Sequence, residues 1–253
     1  MTQSKVERRS NQLLGYLRMS FARYTQCTSF QLDNEYQIYD VGSFKNVYLG
    51  TFRNGPRSNQ RCVAKEFKDS SEQFVFDNEL RVCRKALEIV ERFNNMNVSP
   101  ITLYLNMPSI AFSNTKGQML LEPFIKNFEK FNSNTGWIGQ DGTYYSDLMQ
   151  AFSHFSYHST GGNLFVCDLQ GGTFNKGFAL TDPVVMSHFP ENYGPTDLGR
   201  DGINTFFAYH ECDGNRFCQS HWRRPKYQAP VLNRRQGTST VCRPKMQTSR
   251  YYG

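Results

Sequence analysis

The residues best suited to chemistry lie between Ala151 and Cys218. Asp168 stands at the end of the run NLFVCDL, Gln170 follows two positions on, and Asp182 precedes Pro183. Transfer of a phosphoryl group needs a carboxylate to orient the acceptor hydroxyl, hard oxygen ligands for magnesium, and a cation on the donor. This trio supplies the first two, although an aspartate in a loop more commonly caps a turn. His210, Cys212 and Cys218 form an H-x-C-x5-C cluster with metal-ligand spacing, and His154 stands upstream as a fourth donor. Two imidazoles and two thiolates would make a closed tetrahedral zinc site, which is structural rather than catalytic. All five histidines fall between 154 and 221, with His158, His188 and His221 as spares. A glycine-spaced turn, Gly194 to Gly202, leads into an apolar run.

These groups need elements to hold them. SDLMQAFSHFSYHS reads as a helix with Leu148, Ala151, Phe152 and Phe155 inward, carrying His154. NLFVCDL reads as a buried strand that delivers Asp168. Upstream, YQIYDVGSFKNVYLGTF reads as two strands broken at Gly42, a turn that could lay backbone N–H groups over phosphates. RCVAKEF is a strand whose alternation puts Val63, Lys65 and Phe67 on one face and Cys62, Ala64 and Glu66 on the other. A lysine on an apolar-looking face makes sense if it points into a cleft at an anion, since an unpaired buried ammonium is costly. A helix capped by Ser70 or Ser71 follows, with Phe74, Leu80, Cys83, Leu87 and Val90 repeating to Phe93. Glu79 on it would reach Lys65 if helix and strand pack together. ITLYLNMPSIAF and GQMLLEPFI are further strands, and FEKFNSNTGWIG marks the passage to a second lobe.

Bulk properties narrow the field. The chain of 253 residues is long enough to bury a core, and no run of 18 apolar residues suggests a membrane span. The opening MTQSKVERRSNQLLG lacks the apolar core of a signal peptide, so the seven cysteines are expected as thiols or metal ligands in a cytoplasmic or nuclear protein. The net charge of +7 is concentrated at the ends and accompanies no nucleic-acid motif, so nucleic acid is not the expected partner. Residues 1–35 read as a charged extension with Leu13, Leu14, Leu17 and Phe21 at helical spacing, and 223–253 as a flexible basic tail. The familiar protein-kinase signatures H-R-D, D-F-G, A-P-E and G-x-G-x-x-G are absent.

One combination of pieces is specific: VAKEF, ERFN, LEPFI, EKFNSNTG, AFSHF, VCDLQG, LTDP, the G-x-T-D-L-G-x-x-G-I turn, and H-x-C with a second cysteine, in that order over residues 36–222. It resembles the atypical alpha-kinases. The resemblance implies an α+β, two-lobed protein-kinase-like fold with a structural zinc in the C-terminal lobe. It implies a nucleotide-binding lobe over 36–125 and a catalytic lobe over 126–222. The activity implied is transfer of the ATP γ-phosphate, with magnesium, to a Ser or Thr hydroxyl of a protein.

Carried over by position, Lys65 is the nucleotide-binding lysine, with Gly42, Lys45 and Glu79 around the phosphates and Glu122 and Ile125 at the adenine hinge. Asp168 is the catalytic aspartate, Lys130 an active-site lysine, and Gln170 and Asp182 the magnesium ligands. His154, His210, Cys212 and Cys218 are the zinc ligands, and Gly199 and Gly202 belong to the substrate-side glycine turn. Relative to the family pattern the zinc cysteines are spaced more widely and the DLQG–LTDP loop is longer. Lys45 replaces an arginine, Glu79 an aspartate, and Asp197 an asparagine. No catalytic group is lost, so turnover is expected rather than mere binding of nucleotide or a partner by a catalytically weak module. A zinc-stapled nucleic-acid-binding protein ranks last.

Overall fold

A computed structural model of the protein describes residues 21–68, 75–139, 142–233 and 240–242. The helical spacing at Leu13, Leu14 and Leu17, the Ser70 or Ser71 cap and Phe74 lie outside these residues.

The first sheet takes its register from a long hairpin. β2 (Phe30–Leu32), β3 (Asp40–Val41), β4 (Lys45–Phe52), β5 (Arg61–Phe67), β7 (Ser109–Ser113) and β8 (Gly117–Pro123) form it, in the order β2-β4-β5-β8-β7 with β3 on β4. Lys45 lies opposite Phe67, Val47 opposite Lys65, and Val63 opposite Glu122. Side chains alternate across a strand, so Lys45, Lys65 and Glu122 share one face. The other face buries Tyr48, Phe52, Cys62, Ala64, Ala111, Met119 and Leu121 as one apolar cluster.

The second sheet has the order β1-β6-β12-β11-β9, from β1 (Ala22–Tyr24), β6 (Leu103–Met107), β9 (Glu129–Lys130), β11 (Gln170–Phe174) and β12 (Gly177–Thr181). β6 lies before residue 125, yet it pairs in parallel with β12. The main core joins the same two regions. It packs Val82, Ala86, Ile89, Val90 and Phe93 against Leu103, Leu105, Leu148, Phe152, Phe178 and Leu180. Two changes from the sequence reading follow. The stretch 21–35 is not an appended extension, because β1 and β2 are strands of the two sheets. The division at 125 is crossed by both a sheet and the core.

Among the described residues, three helices complete the frame. α1 (Val75–Asn95) presents Val82, Ala86, Ile89, Val90 and Phe93 inward at helical spacing. Asn94 locks its end onto β6, donating to the Leu103 carbonyl at 2.8 Å and accepting the Leu103 N–H at 3.0 Å. α2 (Tyr144–Ser159) is capped by Thr143, whose hydroxyl accepts the Ser146 N–H, and is buried along nearly its whole length. α3 (Gly199–Tyr209) begins where the Asp197 carboxylate accepts the Gly199 N–H at 3.0 Å. Gly202 on it lies so close to β13 (Val184–Ser187) that an added Cβ would sit 2.5 Å from Met186 Sδ.

The described part of the basic tail is not free, which corrects the sequence reading. Arg224 donates to the carbonyls of Phe207 and His210, both at 2.9 Å, and Thr240 and Val241 bond to residues of the cleft.

Candidate active site

One hairpin-like stretch changes sheets twice and leaves an aspartate at each crossing. β10 (Leu164–Cys167) pairs antiparallel with β13, and Cys167 faces Val184. Beyond Asp168 and Leu169 the chain enters β11, which pairs with β12, and Gln170 faces Thr181. Asp168 and Asp182 are therefore the two corners between the same pair of ladders. Both hold left-handed backbone, with φ of 59° and 47°. Aspartate tolerates this conformation better than most residues, and such strain gathers at functional sites. Gln170 also faces Lys130 on β9, so Lys130, Gln170 and Thr181 form a row beside the corners.

The first sheet brings its charged face to these corners. Lys65 is 4% exposed, and its ammonium donates to Asp182 Oδ2 at 2.5 Å, Glu122 Oε1 at 2.6 Å and Thr181 Oγ1 at 3.1 Å. Lys45 donates to Asp182 Oδ1 at 2.6 Å and to Glu79 Oε1 at 2.8 Å. An unbroken line of charge results: Glu79, Lys45, Asp182, Lys65, Glu122. Glu79 thus meets Lys45 and not Lys65, which corrects the pairing expected from the sequence. Glu122 Oε2 accepts from Thr181 Oγ1 at 2.5 Å and from Asn106 Nδ2 at 3.2 Å, and Arg23 bonds to Asn106 in turn. Burial pushes the Asp182 carboxyl up, but Lys45 and Lys65 overcome it and hold the group far below the ordinary aspartate range. Burial alone would lower the Lys65 ammonium; Asp182 and Glu122 reverse that and raise it.

Asp168 lies apart from this line. It is 2% exposed, with Lys130 Nζ 2.9 Å from Oδ1 and the Thr240 hydroxyl 2.8 Å from Oδ2. Burial raises its pKa above the usual value, and Lys130 opposes that only in part. Gly42 sits in the exposed turn from β3 to β4, where its N–H donates to the Lys45 carbonyl at 2.9 Å. Ile125, half-buried after β8, packs over Gly172, where a Cβ would come within 2.8 Å of Ile125 Cγ2 and 2.1 Å of the Lys126 carbonyl. Glycine there lets the segment after Glu122 lie directly on β11.

Gly199 and Gly202 are packing positions at the start of α3, against Pro190 and Met186, and neither joins the charged groups. Thr181, Asn106 and Asn134 were not singled out from the sequence. Thr181 stands inside the quoted LTDP motif and Asn134 inside the quoted EKFNSNTG motif, but Asn106 carries no signal beyond its place in a strand pattern.

The His/Cys cluster gathers as a unit. His154 Nδ1 and His210 Nε2 lie 3.2 Å apart, each cysteine sulfur is 3.4–3.7 Å from both nitrogens, and all four donor atoms lie within 4.8 Å of one another. Zinc bonds of about 2.0 Å to nitrogen and 2.3 Å to sulfur give tetrahedral edges of roughly 3.3 to 3.8 Å, which the nitrogen–nitrogen and nitrogen–sulfur separations match. Burial depresses the His154 pKa to about 4 and that of His210 to about 3, so both imidazoles are neutral and able to ligate. His154 Nε2 bonds to the Arg223 carbonyl at 3.1 Å, which orients the ring, and Arg224 lies 3.2 Å from Cys212 Sγ.

Comparison with known proteins places this arrangement. The family model described as the alpha-kinase family matches residues 40–218. Alpha-protein kinase 1 of Dictyostelium discoideum is 36% identical over 165 residues, 63% of this chain and 11% of that protein. Eukaryotic elongation factor 2 kinase of Rattus norvegicus is 31% identical over 161 residues, 62% of this chain and 21% of that protein. The chain therefore spans only a small part of the length of these relatives. Among solved structures, an alpha kinase from Entamoeba histolytica gives a TM-score of 0.62 at 23% identity, covering 84% of this chain and 85% of that one. The inactive alpha-kinase domain of myosin-II heavy chain kinase A complexed with ATP gives 0.61 at 18% identity, covering 74% and 87%. The shared fold is the mixed α/β alpha-kinase domain, and with the family model matched from β3 through the His/Cys cluster, this chain belongs to the alpha-kinase family.

Proposed function

We propose that the chain is an alpha-type Ser/Thr protein kinase that transfers the ATP γ-phosphate to a protein hydroxyl. The observation that carries this is the convergence of Lys45 and Lys65 on Asp182 beside the Asp168 corner. Two cations held on one carboxylate are cations placed for phosphate oxygens. Lys65, fixed by Glu122, and Lys45, fixed by Glu79, neutralise the phosphates under the Gly42 turn. Ile125 and the backbone after Glu122 offer the adenine end. Asp168, with Lys130 on its other oxygen, accepts the hydrogen bond of the acceptor hydroxyl and takes its proton.

Gln170 faces Thr181, the residue before Asp182, across the β11–β12 register, and the oxygens of Gln170 and Asp182 are hard donors that suit magnesium. Magnesium would supply charge neutralisation on the phosphates. His154, His210, Cys212 and Cys218 suit zinc, which would tie α2 to the segment after α3 and take no part in chemistry. No helix among the described residues is long and apolar enough to cross a membrane, and the cysteines are free thiols, in keeping with a cytoplasmic setting.

Magnesium-dependent transfer of labelled phosphate from ATP to a generic basic protein tests the reading. Lys65→Ala, shown to be folded, should lower transfer about 100-fold or more. Undiminished transfer by that variant would overturn the assigned roles.

A further inference from the structure

The exit from β8 is gripped from the second sheet by side chains the catalytic scheme has not used. β1 and β6 pair in parallel with Arg23 beside Asn106, so the two side chains leave one face of that sheet together. Thr25 Oγ1 donates to the Leu121 carbonyl at 2.8 Å, and Asn106 Nδ2 donates to the Pro123 carbonyl at 2.9 Å. Arg23 Nη2 donates to the Phe124 carbonyl at 3.4 Å. All three donors belong to buried residues. The backbone is thus held at Leu121, Pro123 and Phe124, just where it leaves the first sheet toward Ile125.

The Asn106 amide has a single orientation available. On one side Arg23 Nη1, which can only donate, lies 2.8 Å from Asn106 Oδ1. On the other side Nδ2 faces Glu122 Oε2 at 3.2 Å and the Pro123 carbonyl. Turned over, the amide would set its oxygen against a carboxylate and a carbonyl. The Arg23 guanidinium lies 4.2 Å over the Phe174 ring of β11. Burial lowers its pKa to about 10, so it is still a cation at neutral pH.

We propose that Arg23 and Asn106 are positioning residues for the nucleotide. Together they set the backbone from Glu122 to Ile125 against which adenine lies, and Asn106 also passes that placement to Lys65. The inference rests on the nucleotide reading above. Glu122 is the junction, because its Oε1 accepts from Lys65 and its Oε2 from Asn106. Without Arg23, Glu122 and Pro123 still accept from the Asn106 amide, so the loss falls on the adenine end. Without Asn106, the adenine end loosens and Glu122 loses a donor, so Lys65 is aimed less well at the phosphates. Both residues act through other groups, and Arg23 precedes the stretch that carries the family motifs.

Titration calorimetry of the folded, full-length chain with adenosine and with magnesium–ATP tests this. Arg23→Met should weaken both ligands by the same factor, about tenfold, and raise KM for ATP more than it lowers kcat. Arg23→Lys keeps a buried cation without the planar fork and should fall between wild type and Arg23→Met. Asn106→Leu should weaken ATP more than adenosine, because only ATP reports on Lys65. A merely structural role would lower Tm and leave the affinities of the folded chain unchanged. Wild-type affinity for adenosine in Arg23→Met, or in Arg23→Lys should the methionine variant not fold, would overturn this inference alone. So would equal losses of the two ligands in Asn106→Leu. A wild-type chain that binds neither ligand would overturn the nucleotide reading and this inference together.

Discussion

Burial lifts the Asp168 pKa above the aspartate value of 3.8, and the Lys130 ammonium offsets only part of the shift. A base works only when deprotonated, so kcat/KM should fall as pH drops through a value above 3.8, and a pH–rate profile reads this limb directly. In Lys130→Met, whatever activity remains should show the limb moved further up, because the opposing cation is gone. Asp182 behaves in the opposite sense. Its folded pKa is depressed below the unfolded value near 3.8, so its contribution to stability is present above that value and lost as pH falls toward the folded one. Asp182→Asn should cost about 1–3 kcal/mol at neutral pH in urea denaturation, and the gap from wild type should narrow below pH ~4. Lys65, Asp168 and Asp182 were legible because each sits in a short motif with a definite local setting. The partner of Glu79 was not. Lys45 and Lys65 lie two positions apart along the same face, opposite Phe67 and Val47 respectively. Which of them meets a helix glutamate depends on how α1 rotates against β4, and no periodicity encodes that.

At the scale of elements, α2 and β10 followed hydrophobic period, whereas the DLQG–LTDP stretch, read as a loop, forms the paired strands β11 and β12. β5 shows where period stops being informative. Its alternation was read correctly, but the face with Val63 and Phe67 looks as apolar as the face with Cys62 and Ala64. Only the second enters the core of the first sheet; the first lines the charged cleft. A strand covered on both faces offers no solvent side by which to choose. The start of α3 offers a direct test of packing. Gly202→Ala places a methyl 2.5 Å from Met186 Sδ, and should lower stability by about 1–3 kcal/mol, seen as a lower Tm with nucleotide binding retained. An unchanged Tm would mean that α3 does not lie this close to β13.

At the scale of the whole molecule, some contacts that join distant parts of the chain carry no hydrophobic pattern, and these were the least legible. The stretch after Cys218 looked like a solvated tail because it is basic and proline-dotted. Its described part docks through polar bonds, from Arg224 to the Phe207 and His210 carbonyls and from Val241 to Asn134. β1 was hidden for a similar reason: three residues paired in parallel with β6, more than 80 positions away, leave no local trace. The His/Cys cluster was visible from spacing, and it joins α2 to the chain after α3. Removing zinc with a chelator, or Cys212→Ser, should therefore lower Tm and soluble yield rather than turnover alone, with about one zinc per chain in the intact protein by elemental analysis. A metal-free chain with unchanged Tm would contradict this.

The proposed function requires Asp168 to act on the acceptor hydroxyl while the lysines hold the nucleotide. Single-turnover transfer from ATP by wild type and Asp168→Asn, with ATP affinity measured on the same samples, separates the two. The asparagine variant should bind ATP nearly as well as wild type and transfer its phosphate about 100-fold more slowly or worse. A folded Asp168→Asn chain that transfers phosphate at the wild-type rate would contradict the account.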